Sequence, residues 1–153
     1  MICAIISEKT DKNKNTNDIV MQQALQEIGK LIAEGYDVFY SNCEIGMPLY
    51  AAKVICALKS IFPIQLHIII PYENQAENWS ETLRDMYFSI HEQADSVDLA
   101  HLKYNDSCYK ESNMKIIDKC DIVVLSGKNL VDSQCYAYAH NIGKPIRIIN
   151  EIQ

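Results

Sequence analysis

Six short runs of apolar, largely β-branched residues recur along this chain, and between most of them lie longer segments whose apolar residues return every three or four positions. That alternation constrains the fold more than any other feature. Neighbouring parallel strands need a crossover of a dozen or more residues, and a helix is the usual one. The short runs fall at residues 2–6, 37–41, 65–70, 96–100, 122–126 and 146–150. Helical spacing is predicted first across Ile19, Leu25, Ile28, Leu31 and Ile32, read as one face, with a stop at Gly35. It is predicted again over 47–60, with Ala51, Ala52, Ile55 and Leu58 inward, and over 81–93, 111–119 and 132–141, the last ended by Gly143 and Pro145. The expected fold is α/β: a Rossmann-like three-layer sandwich whose mostly parallel sheet of about six strands is covered by helices on both faces. Residues 68–70 and 122–125 lack polar alternation, as strands buried on both faces do. Residues 9–18, rich in Lys, Asn and Thr, read as a long βα loop.

A length of 153 residues predicts one domain spanning 1–153. A net charge of −6 argues against general nucleic-acid binding, which needs a basic face to neutralise phosphates. No apolar run is long enough to span a bilayer, and the N-terminal residues read as a first strand rather than a signal peptide, so no membrane partner and a cytoplasmic location are expected. Cys3, Cys43, Cys56, Cys108, Cys120 and Cys135 are scattered, without a CxxC pair or a cysteine–histidine pairing. Reduced, partly buried thiols are expected, and neither a metal site nor a cofactor. His67, His91, His101 and His140 lie apart from one another and from other ligand candidates.

In a parallel sheet the residues that follow each strand share one rim, and ligands settle beyond the carboxyl ends of the strands. The first strand brings Ser7 and Glu8 there, and the second Ser41, Asn42, Cys43, Glu44 and Gly46. The third brings Pro71, Tyr72, Glu73, Gln75 and Trp79, the fifth Ser126 and Gly127, with Asp132 closing the far side. Serine, asparagine and glycine beside helix N-termini suit an anionic or ribose-bearing ligand, and they equally suit caps and turns. Trp79, the only tryptophan, could stack on a base or anchor a helix start. Cys43, between a strand end and a helix start, could be an activated thiol, but the better reading is a small turn residue, since no base is visibly assigned to it. Glu73 could bind ribose hydroxyls; Asp118 and Asp121 flank the start of the fifth strand at the opposite edge and read as solvated or capping.

The segment QLHIIIPYENQAENWS at residues 65–80 resembles the central signature of the YpsA-like branch of the SLOG superfamily. The likeness extends to EGYDVFYS at 34–41, Gly46, Ala51 and Ala52, IIDKCD at 116–121 and YAHNIGKP at 138–145. It covers nearly the whole chain, and the block at 71–80 is its most specific part. The resemblance implies a Rossmann-like protein that binds a nucleotide or nucleotide-derived ligand, and homodimers or higher oligomers, which are frequent among such relatives. The chain also departs from the family pattern. Residues 5–10 (IISEKT) stand where family members end the first strand with Thr-Gly-His-Arg-Pro, and Ser112-Asn113 stands where Arg-Asn is usual, leaving Asn113 to carry that position. The Ser-Gly-x-x-x-Gly-x-Asp turn is SNCEIGMP at 41–48, and the late Gly-Gly-Thr turn is Leu130-Val131-Asp132. Losing side-chain-free turns weakens the usual approach of a phosphate to the backbone.

Two enzyme groups of similar fold style, Lonely-Guy-type phosphoribohydrolases and nucleoside deoxyribosyltransferases, place a glutamate three residues after the Gly-Thr; Cys135 aligns with it here. A thiol without an activating base does not replace a carboxylate in N-glycosidic chemistry. The expected function is therefore binding of a nucleotide-derived small molecule, as sensor or sequestering module, without catalysis. A divergent nucleotide hydrolase or transferase using Glu44 or Glu73, and a ligand-free scaffold acting through protein contacts, are the alternatives.

Overall fold

The computed structural model describes residues 1–8, 18–127, 130 and 133–150, and for Asn150 its backbone only. Of the expected site residues, Asp132 lies outside the described residues, as does most of the 9–18 loop. Six strands, β1 (Ile2–Ser7), β2 (Val38–Ser41), β3 (Gln65–Tyr72), β4 (Ser96–His101), β5 (Ile122–Gly127) and β6 (Ile146–Asn150), form one sheet in the order β4-β3-β2-β1-β5-β6. Every pairing is parallel. Helices α1 (Asp18–Ala33), α2 (Met47–Leu58) and α3 (Glu81–Gln93) link β1 to β4 in steps, and α4 (Cys108–Lys119) and α5 (Gln134–Asn141) link β4, β5 and β6. The expected α/β Rossmann-like architecture is the observed one.

The period of two along each strand sends alternate residues to opposite faces and so builds two cores. Cys3, Ile5, Phe39, Leu66, Ile68, Ile70 and Val124 pack with buried residues of α1, α2 and α3. Ala4, Ile6, Ile69, Val123 and Leu125 pack with Ile116 and Ile117 of α4 and Cys135 and Ala139 of α5. The winding therefore reverses between β1 and β5, which are hydrogen-bonded neighbours with Ser7 opposite Ser126. Ligands of open parallel sheets bind at such reversal points.

Two sequence expectations are adjusted. In α1 the buried stripe is Ala24, Ile28 and Leu31, while Ile19 and Leu25 are about half exposed. Leu25 lies about 100° around the helix from Ala24, so a face drawn through both Leu25 and Ile28 is wider than the stripe the sheet covers. Helix α4 starts at Cys108, three positions before the predicted Glu111, because residues 105–108 already turn: the Asn105 side chain accepts from Ser107 N–H and its carbonyl from Cys108 N–H. Among the described residues no helix is long and apolar enough to cross a membrane.

Candidate functional site

The loop after β2 is shaped by its own side chains. Ser41 Oγ accepts from Cys43 N–H at 3.1 Å and donates to the Pro48 carbonyl at 2.8 Å, tying the strand end to the first turn of α2. Asn42 Oδ1 accepts from Glu44 N–H at 2.9 Å. Between them Cys43 takes φ 58°, a left-handed conformation uncommon for a residue with a Cβ. The two side-chain turns offset that cost. Gly46, at φ 112°, precedes α2 and lets the chain reverse into it without a side chain in the way.

From this loop a buried polar chain runs beneath the rim. Asn42 Nδ2 donates to Asn113 Oδ1 of α4 at 2.9 Å, and Asn113 Nδ2 donates to Cys135 Sγ of α5 at 3.6 Å. Cys135 N–H donates to Glu8 Oε1, at the end of β1, at 3.1 Å. On the other side Gln75 Nε2 donates to the Asn42 carbonyl at 3.1 Å. Five elements or loops are thus joined: β1, the β2 loop, the β3 loop, α4 and α5. The amide orientations are mutually consistent. Asn42 accepts from a backbone N–H, so its NH₂ faces Asn113, whose own NH₂ must then face the sulfur. Ser7, Ser41, Asn42, Gln75, Asn113 and Ser126 are the buried polar residues at this end of the sheet, and Ser112 lies beside them on α4. Among the described residues Gln75 Oε1 and Ser7 Oγ have no hydrogen-bond partner, although the two residues are only 3% and 2% exposed.

The thiols here are not activated. Burial pushes the Cys43 thiol far above its ordinary range, and Cys135 is pushed up by burial first and by the neighbouring Glu8 carboxylate second, with Glu44 adding to it. A buried thiol beside a carboxylate stays protonated and is a poor nucleophile. This agrees with the reading of Cys43 as a turn residue. Burial and the Glu44 carboxylate likewise hold the Tyr109 hydroxyl protonated.

The third-strand segment splits into two groups. Pro71 and Gln75 are buried, and Gln75 reaches the Asn42 loop. Tyr72 packs edge-on against Tyr104 and Tyr109 with ring centroids 5.4 and 6.3 Å apart, and Glu73 is exposed, its N–H donating to the Leu102 carbonyl. Trp79 is half-buried against the core and meets Tyr87 edge-on at 5.2 Å. It sits immediately before Ser80, whose side chain caps α3. Gly127, at φ 142°, passes so close to β1 that an added Cβ would lie 2.7 Å from the Glu8 carbonyl oxygen. Glu8 reaches the Cys135 N–H, whereas Asp121 accepts from Ile2 N–H and Asp118 from the Tyr138 hydroxyl at the far edge.

Tyr109 and Cys135 are the residues whose place at the rim the sequence did not reveal. Tyr109 lies on the first turn of α4, in the part of the helix that periodicity missed. For Cys135 the signal was the alignment itself, but nothing in the sequence shows that Glu8 would bring a carboxylate to it from 127 positions away. Among the described residues no three His, Cys, Asp or Glu side chains are grouped as a metal site.

A solved structure with the same fold is the molybdenum cofactor binding protein of Rippkaea orientalis, with TM-score 0.60 and 17% identity over 99% of this chain and 77% of that one. A UPF0398 protein of Halalkalibacterium halodurans is 40% identical over 74 residues, 48% of this chain and 39% of the relative. The UPF0398 protein of Streptococcus mutans is 27% identical over 72% of this chain and 64% of its own length, and UPF0398 protein YpsA of Bacillus subtilis is 30% identical over 60% and 53%. The chain thus matches less than two thirds of the length of each of these curated relatives. Residues 8–140 match the YspA SLOG family, YpsA. The chain belongs to the YpsA SLOG family.

Proposed function

We propose that this protein binds a nucleotide-derived small molecule at the carboxyl rim of its sheet, next to the β1/β5 reversal, and does so without turnover. One observation carries the reading: a buried polar chain joins five segments at the rim, yet leaves Gln75 Oε1 and Ser7 Oγ without partners among the described residues. A buried polar atom without a partner costs about 1–3 kcal/mol, a cost that a bound group offsets. Family membership supports the reading, as does the fold shared with the molybdenum cofactor binding protein of Rippkaea orientalis. Absence of turnover is supported by the raised thiols of Cys43 and Cys135. In this reading Ser7, Glu8, Ser41, Asn42, Gln75 and Asn113 form the floor, and Tyr72, Glu73 and Trp79 the outer wall.

The Glu8 carboxylate at Cys135 favours one second reading, a divergent hydrolase or transferase of N-glycosidic bonds, since a carboxylate is what that chemistry uses. Mass spectrometry of small molecules released from the purified protein, followed by a thermal-shift panel of nucleosides, nucleotides and cyclic nucleotides, tests the binding reading. A ligand at 100-fold excess over its Kd is expected to stabilise the fold by about 2.7 kcal/mol. No released molecule and no shift across the panel overturns it. Base or sugar product appearing in the same mixtures, and lost in Glu8→Gln, replaces it with the enzyme reading.

A further inference from the structure

We infer that the Tyr87 hydroxyl and the Gln75 side-chain carbonyl together form a base-reading subsite, which takes a flat heterocycle carrying a hydrogen-bond acceptor beside a donor. The inference rests on the ligand-binding reading above and assigns the base end of that ligand.

Tyr87 lies on α3 and is only 3% exposed, yet among the described residues its hydroxyl has no hydrogen-bond partner. A buried tyrosine hydroxyl ordinarily finds one. The side chain shares a core with Cys43 and Ala76, the chain neighbours of Asn42 and Gln75, and its hydroxyl lies within electrostatic reach of Cys43, Tyr109 and Tyr72. Burial first, and these neighbours second, keep the phenol protonated, so it has a proton to donate.

Gln75 supplies the complementary vacancy. Its Nε2 donates to the Asn42 carbonyl at 3.1 Å, and the same side chain hydrogen-bonds the Tyr109 hydroxyl in the sense that favours the phenolate, as a donated N–H does. The N–H bonds of the amide are then spent, and the vacant atom is the acceptor Oε1. A free donor and a free acceptor therefore flank the corner at residues 42–43 without bonding each other. A group that accepts from Tyr87 and donates to Gln75 satisfies both. Adjacent acceptor and donor on a flat ring is the edge that nucleobases present, and Trp79 and Tyr72 place aromatic side chains next to Tyr87. Ser7 Oγ, vacant at the same rim, ends β1, which β2 separates from β3. Two strand steps span about 10 Å, which leaves the sugar or phosphate end of the ligand toward Ser7. Reaching Tyr87 and Gln75 requires the turns at 72–79 to shift. Their backbone bonds close within the segment: Gln75 N–H to Tyr72, Glu77 N–H to Asn74 and Trp79 N–H to Ala76 carbonyls, at 3.3, 3.1 and 3.2 Å.

Tyr87→Phe removes one hydroxyl and leaves the ring in place, so it separates this account from a structural role. Thermal melts of the ligand-free full chain should give a Tm for the variant equal to or above wild type, because no bond is lost and a buried polar group is relieved. A lower Tm shows that the hydroxyl is already satisfied, and overturns the inference. Isothermal titration calorimetry then uses adenosine, guanosine, cytidine and uridine, with the 2′-deoxynucleoside and 5′-monophosphate of each. Every one of these that binds wild type should bind Tyr87→Phe about tenfold more weakly, the size of one hydrogen bond to the shared base. Unchanged affinity in the variant overturns the inference and leaves the binding reading standing. So does a loss that vanishes with the 2′-deoxynucleosides or is confined to the monophosphates, since the hydroxyl would then meet sugar or phosphate. Failure of all twelve compounds to bind wild type overturns both.

Discussion

At the scale of single residues, the buried amides are the exposed flank of this protein's stability. Truncating Asn113 to alanine strips the partner from Asn42 Nδ2 and from Cys135 Sγ at once. Urea denaturation of Asn113→Ala should show a loss of about 1–3 kcal/mol, and the double variant with Asn42→Ala should lose less than the two single losses added, because they share one bond. Gly127→Ala should cost about 1–3 kcal/mol through its left-handed φ, and more if the Glu8 backbone cannot move from the 2.7 Å approach. His91 offers a pH test. Burial lowers its pKa from the ordinary 6.5, with the Tyr87 carbonyl opposing that shift. The unfolded chain therefore binds a proton that the folded one refuses. Stability is full above pH 6.5 and declines as pH falls below it toward the lowered folded value. Thermal melts of wild type and His91→Gln between neutral pH and pH 5 should converge as the medium acidifies if this account holds, and a parallel pair of curves would refute it.

At the scale of elements, the site depends on where two helices begin. Ser133 caps α5 one residue before the helix, two before Cys135, and its loss in Ser133→Ala should cost about 1 kcal/mol. The same change should loosen the Cys135–Glu8 contact, readable as faster amide exchange at Cys135. Strand β4 is the sheet edge opposite β6, and its outer residues Val97 and Leu99 are about two-fifths exposed with the exposed Asp98 between them. A charge on an edge strand blocks pairing with another sheet. Asp98→Val should therefore shift the protein toward larger species in size-exclusion chromatography with light scattering. The periodicity of the sequence exposed these elements but not their starts. The first turn of α4 escaped it because Asn105 and Ser107 read as loop residues and no apolar repeat begins until Ile116.

At the scale of the whole molecule, two cores on either side of one sheet leave the thiols dry. All six cysteines are free and buried, and burial raises those of Cys3, Cys43, Cys56, Cys120 and Cys135, Cys120 to about 11. Native protein at pH 7.5 should resist iodoacetamide over a time in which the urea-unfolded chain takes up six labels, counted by intact mass. Melting should be unchanged by reductant. Rapid labelling of the native state at Cys135 would contradict the burial of that thiol beside the Glu8 carboxylate.

The order of elements, their types and the parallel winding were legible in the sequence, because hydrophobic periodicity and strand–helix alternation are local signals that survive without coordinates. So was the gathering of residues after β1, β2, β3 and β5 at one rim, which follows from parallel strands alone. Which of those residues would touch was decided only by the fold. Asn42 and Asn113 are 71 positions apart, and Glu8 and Cys135 are 127 apart. Their meeting depends on α4 crossing the back of the sheet and on β5 settling beside β1, a long-range packing outcome that no window of sequence encodes. By alignment the carboxylate is missing at Cys135; in space, the end of β1 supplies one.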